Sequence, residues 1–163
     1  MSNHRLVAGI AGLGLAFAMP AEAQVLERKD LSLAAALTIA TTAADLCKSQ
    51  GYTVSVAVVG RNGEPIVQLR GDNAPPHTVE NAFRKAYSSR TYRVPSGELV
   101  KRLKDNPQAP LVHLQNVIAA QGALPIKIGD DTIGAVGVSG APGGVKDEVC
   151  AKAGIDKVAD GLK

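Results

Sequence analysis

At 163 residues, with 18 Lys and Arg against 15 Asp and Glu, 45% hydrophobic and 3% aromatic, the chain can build one core and has no room for several domains. A net charge of +3 and a pI near 9.0, with both signs interspersed and no arginine-rich or aromatic-studded basic tract, exclude a nucleic-acid footprint. A weak preference for small anions is all that this charge supports.

Residues 1–23 read as a cleaved secretory signal peptide. His4 and Arg5 give a basic end, Leu6–Met19 an apolar middle, and Ala21-Glu22-Ala23 a small-x-small site before Gln24. The apolar run is shorter than the about 20 residues of a membrane span. Cleavage would leave residues 24–163 as one exported domain, periplasmic or secreted, without stable membrane insertion; an uncleaved N-terminal anchor is the alternative.

A first helix is expected from about Ser32 to Gln50, capped by Asp30-Leu31-Ser32 and ended by Gly51, with Leu33, Leu37, Ala40, Ala44 and Cys47 on one face. "TVSVAVVGRNGEPIVQLR" reads as two antiparallel strands around a turn at Arg61-Asn62-Gly63. The loop "GDNAPPHTVE" ends at Thr78 as an N-cap. The second helix then places Val79, Ala82, Phe83, Ala86, Tyr87 and Arg90 on its buried side. A shorter helix starts at Ser96. Val117–Ala120 reads as a weak strand, and "LPIKI" and "TIGAVGVSG" as a second hairpin around Gly129-Asp130-Asp131. The closing helix starts near Gly144. The order α-β-β-α-α-β-β-β-α implies an α+β fold, an antiparallel sheet of about five strands covered by helices in a profilin- or PAS-like layer arrangement.

Cys47 and Cys150 are the two cysteines, and export places them where a disulfide persists. If the first and last helices lie side by side, the bridge closes a loop of about 100 residues, worth up to about 4.7 kcal/mol in the chain-entropy model. Two buried free thiols are the alternative.

Several chemistries fail on spacing. Gly140 is followed after four residues by Val145-Lys146-Asp147, which lacks both the second glycine and the hydroxyl of a phosphate-binding loop. Gly134, Gly137 and Gly140 recur every third residue, which is not the dinucleotide fingerprint. His77 and His113 have no second strong metal ligand at helical or hairpin spacing. Ser139 follows a valine strand without a nearby histidine or a nucleophile-elbow pattern.

Two blocks, "TVSVAVVGRNGEPIVQLRGDNAPPHTVENAFRKAYSS" and "ALPIKIGDDTIGAVGVSGAPGGVKDEVCAKAG", resemble the GlcG/HbpS family of small haem-binding proteins, related to the C-terminal domain of the PduO corrinoid enzymes. Arg70, Asp72, Ala82, Lys85 and Ala86 fall at the family's strand-end and Ala-x-x-Lys-Ala positions. Leu124–Ile126, Gly134–Gly140 and Asp147–Ala151 match the second block. The chain departs from the family at Gly60-Arg61-Asn62-Gly63, where an aspartate and a further glycine are usual, and at Gln121-Gly122-Ala123.

The resemblance implies haem, or a related tetrapyrrole, as ligand and a homo-oligomeric ring of several subunits. Such a site needs an axial base, cations for two propionates and an apolar wall. His77, at the mouth of the second helix, is the candidate axial ligand, or else a residue that starts the helix. His113 is the weaker candidate, expected among apolar neighbours as a satisfied core group. Tyr92 offers a phenolate. Arg70, Arg84 and Lys85 are candidate ligand-binding cations, the last two otherwise a solvated helix face. Scavenging, buffering, sensing and degradation of haem all agree with the resemblance. The alternatives are a protein that binds or helps to process a small glycolate-type organic acid, with Lys85 and Arg70 on its carboxylate, and a ring-forming module without a small ligand.

Overall fold

Ser32 lies in extended backbone (φ −71°, ψ 152°) and its hydroxyl accepts from the Ala35 amide, so helix α1 begins at Leu33 and runs to Ser49. Gly51 follows in the left-handed region at φ 82°. The computed structural model describes residues 26–162, and the expected signal peptide and its cleavage site lie outside them.

Strands β1 (Ser55–Val59) and β2 (Pro65–Arg70) form the expected hairpin, followed by α2 (His77–Tyr92) and α3 (Ser96–Asp105). A second hairpin, β3 (Ala123–Ile128) and β4 (Asp131–Ser139), leads into α4 (Gly144–Val158). The sheet is antiparallel with order β2-β1-β4-β3. The fold is α+β as expected, with four strands instead of about five. Val117–Ala120 is irregular: the Ile118 amide donates to Ser88 Oγ of α2 at 2.8 Å, so a helix side chain takes a donor that a strand would have given to its neighbour.

The central strands β1 and β4 are buried along nearly their whole length because helices cover both faces of the sheet. Val56, Val58, Val136 and Val138 pack under α1 and α4. Their alternate neighbours Ala57, Val59 and Ala135 lie under Ala82 and Ala86 of α2. Each buried valine contributes roughly 1.5–3 kcal/mol over leaving it in water. Gly137 pairs with Ala57 on the α2 side, and a Cβ there would lie 2.2 Å from the Ala82 carbonyl oxygen. The glycine-studded strand therefore serves close approach of a helix.

Two helix faces differ from expectation. On α1 the buried positions are Ala36, Ile39, Ala40, Ala43 and Cys47, while Leu33 and Leu37 are 58% and 42% exposed. Alanines let α1 lie close to α4, where large leucines would hold it away. On α2 the buried set includes Thr78, Lys85, Ser88 and Ser89, while Phe83 and Tyr87 are half-buried, their ring centroids 5.9 Å apart. Thr78 is not the N-cap, since α2 begins at His77. Its hydroxyl instead donates to Pro75 O at 2.6 Å and pairs with Ser55 Oγ of β1 at 2.8 Å.

Cys47 and Cys150 are joined in a disulfide, with Cα atoms 5.7 Å apart. The bridge ties α1 to α4 across one face of the sheet.

Candidate functional site

Where α1 ends, β1 begins and β2 ends, the chain leaves a groove of about 420 Å³. Lys48 and Asp45 come from the last turns of α1, Tyr52 and Val54 from the segment leading into β1, and Arg70 and Asp72 from the end of β2 and the loop after it. Gly71 N–H donates to Val54 O at 2.9 Å, which extends the hairpin by one hydrogen bond before the loop 71–76 begins. Arg70 Nη2 donates to Ala74 O and so braces that loop. Lys146 Nζ stands 5.2 Å from the centre of the Tyr52 ring, a cation–π contact that adds a third positive charge beside the groove. The volume falls in the range of about 300–1,000 Å³ typical of small-molecule sites. Lys48 and Arg70 can meet a ligand's carboxylates beside the apolar Ala44, Tyr52 and Val54, while Asp45 and Asp72 leave the groove lining itself without net positive charge.

Of the expected site residues, Arg70 alone lines the groove. His77 is exposed at the first position of α2, at the far end of the bracing loop. Arg84 is half-buried and already engaged, through Nη1 with Glu80 at 3.3 Å and Nη2 with Val117 O at 3.0 Å. Tyr92 ends α2 with the Arg102 guanidinium 5.8 Å over its ring. Fifteen helical steps separate His77 from Tyr92, roughly 22 Å, so one ligand atom cannot touch both. His113 is exposed in a short 3-10 turn (Pro110–His113), not packed as a core group as its apolar neighbours suggested. Among the described residues, no three His, Cys, Asp or Glu side chains come together as a metal site.

Lys85 is buried, not on a solvated face. Its Nζ donates to Asp147 Oδ2 at 2.8 Å and Val138 O at 3.0 Å, and Asp147 Oδ1 accepts from the Ala141 amide at 3.0 Å. Burial pushes the Asp147 carboxyl above its ordinary range, against the opposing pull of Lys85 and the Ala141 amide. This pair joins α2 to the start of α4 beneath the loop 140–143. Sequence reasoning missed Asp147 as the partner of Lys85, although both fall in motifs that carried the resemblance. It also missed Lys48 and Tyr52, whose one signal is their place on either side of the Gly51 stop.

A family model described as "Haem degrading protein HbpS-like" matches residues 31–156. A crystal structure of HbpS is 36% identical, with a TM-score of 0.79, over 83% of this chain and 94% of that one. A double mutant of Streptomyces reticuli HbpS is 33% identical, also with a TM-score of 0.79, over 94% of this chain and 99% of that one. A complex of PduOC with haem, 22% identical over 78% of this chain and 94% of that one, has the same fold at a TM-score of 0.73. No curated protein matches.

Proposed function

The chain belongs to the HbpS-like family, and from that premise we propose that it is an exported protein that binds haem or a related tetrapyrrole. The observation that carries the reading is the family match across residues 31–156, supported by 36% identity to HbpS over nearly all of that protein's chain.

The groove offers such a ligand two cations and an apolar wall, with the carboxylates Asp45 and Asp72 also in its lining. Lys48 and Arg70 would hold propionates, and Ala44, Tyr52 and Val54 would lie against the porphyrin. No histidine lines the groove; His77, exposed at the start of α2 beyond the loop 71–76, would be the base offered to the iron. Bound haem would supply iron redox chemistry to a degrading protein. The chain's own residues bind and orient: the cations fix the acidic edge, and the loop 71–76, braced by Arg70, sets the position of His77. The exposed Leu33, Leu37, Val145 and Val149 would be covered by neighbouring subunits in a homo-oligomer.

Haemin titrated into the purified protein should give a saturable shift of the Soret band, and absence of any saturable shift overturns the reading. His77→Ala should alter the band or weaken binding, whereas His113→Ala should leave both unchanged. An unaltered spectrum in the first variant dismisses His77 as ligand. With ascorbate or peroxide, decay of the band faster than for free haem marks degradation, and an equal rate marks holding. Light scattering on the same sample tests the oligomer, which a monomer would refute. Lys48 and Arg70 also favour a second reading, a small organic acid in the groove. Glycolate that stabilises the protein while haemin does not bind would establish that reading instead.

A further inference from the structure

At the opposite end of the sheet from the groove, the β1–β2 turn, the β3–β4 turn and the last turn of α2 meet. Tyr87 of α2 packs on the first turn so closely that a Cβ on Gly63 would lie 2.6 Å from its ring. That contact brings Arg90, one helical turn later, over the same hairpin. Arg61 in the turn is fully engaged at its tip: Nη1 and Nη2 grip Asp131 at 2.9 and 2.8 Å, and Nη2 also donates to Lys29 O. Arg93 follows as the residue that ends α2, exposed and in the left-handed region at φ 60°.

The acids around this cluster are already committed. Asp131 is gripped by Arg61, and Glu64 accepts from the Asn62 amide at 2.9 Å within its own turn. The side chains of Arg90 and Arg93 make no hydrogen bond among the described residues, though both lie in the field of Asp131, and Nε of both Arg61 and Arg90 is buried without an acceptor. A helix C-terminus favours cations, yet neither arginine serves its carbonyls, and Val94 O is met by Ser89 Oγ at 2.7 Å. Burial and then the neighbouring Arg93 and Arg61 push the Arg90 guanidinium below its ordinary range, against the smaller opposing pull of Asp131 and Glu64. Guanidinium groups crowded in this way, with donors to spare, are matched to an oxyanion, which accepts from two forks at once.

We propose that the turn end of the sheet binds a small oxyanion, a carboxylate or phosphate, held by the free Nη donors of Arg90 and Arg93 with Arg61 fixed behind them. This site is separate from the groove, and with a free anion it does not depend on the haem reading; a propionate held here would instead seat the tetrapyrrole at this end of the sheet, in place of the groove. Its source is either a free small molecule or the propionate of a tetrapyrrole.

The test titrates the full protein at low ionic strength with inorganic phosphate and with citrate, following thermal stability, with potassium chloride at matched ionic strength as control. Arg93→Ala, exposed and without a side-chain hydrogen bond, keeps the fold, and Arg90→Gln is used after circular dichroism confirms that it folds. Saturable stabilisation by phosphate or citrate that chloride does not reproduce, weakened about tenfold in either variant, supports the site with a free anion as its source. Haemin and its dimethyl ester form the second arm. Weaker haemin binding in Arg93→Ala, with the ester unaffected, supports the site with propionate as its source. If both arms give the same result in wild type and variants, or no saturable effect appears in either, the proposal is overturned. Failure of haemin to bind at all, with the phosphate response intact, overturns the haem reading and leaves this one standing.

Discussion

Asp147 holds Lys85 with one carboxylate oxygen and the Ala141 amide with the other, with the two charged side chains only 8% and 3% exposed. Removing one member of such a pair leaves a buried charge alone, so Lys85→Met should cost about 3–5 kcal/mol in urea denaturation. Adding Asp147→Asn to that variant should recover much of the loss, and no recovery would show that the two groups are not coupled. The raised Asp147 carboxyl fixes the sign of a pH effect. The folded protein binds this proton more tightly than the unfolded chain does. Its contribution is therefore greatest below the ordinary carboxylate range and declines as pH rises through the raised value. Compared with Asp147→Asn, which does not titrate there, wild-type stability should fall relatively over that window. A difference that is flat or grows with pH would contradict the assignment.

At the scale of elements, the sheet works because α2 lies almost on its backbone. Gly137→Val should destabilise the protein by about 1–3 kcal/mol or more, because the new side chain meets the Ala82 carbonyl and the helix must lift. A thermal midpoint within about 1 °C of wild type would refute that contact. The same closeness explains which parts of the fold were legible in the sequence. The hairpins could be read, since Arg61-Asn62-Gly63 and Gly129-Asp130-Asp131 interrupt clean runs of β-formers. The buried faces of α1 and α2 could be read only in part from hydrophobic periodicity: Ala40, Cys47, Ala82 and Ala86 turn inward as expected, whereas Leu33 and Leu37 do not. Alanine contributes little to such a pattern, and on α2 the residues turned inward are polar ones whose partners lie far away in sequence: Thr78 with Ser55, Lys85 with Asp147, Ser88 with Ile118. Of the groove, Arg70 was legible as the end of a strand. Lys48 and Tyr52 were not, because only the packing of α1 beside the first hairpin brings them together.

For the whole molecule, the Cys47–Cys150 bridge is a covalent tie between residues 103 positions apart, joining α1 to α4. Cys47→Ser with Cys150→Ser should lower stability by about 2–5 kcal/mol, and wild type under reductant should approach the variant. A reductant effect absent from wild type, or retained in the variant, would argue against this role. The bridge also sets how the protein fails under a protease. A protease that cuts once in any loop between α1 and α4 produces two pieces that remain one covalent body, still clamped on the helix pair that covers one face of the sheet. Such a nicked molecule migrates as an intact chain until it is reduced, so a single scission is a wound that need not undo the fold.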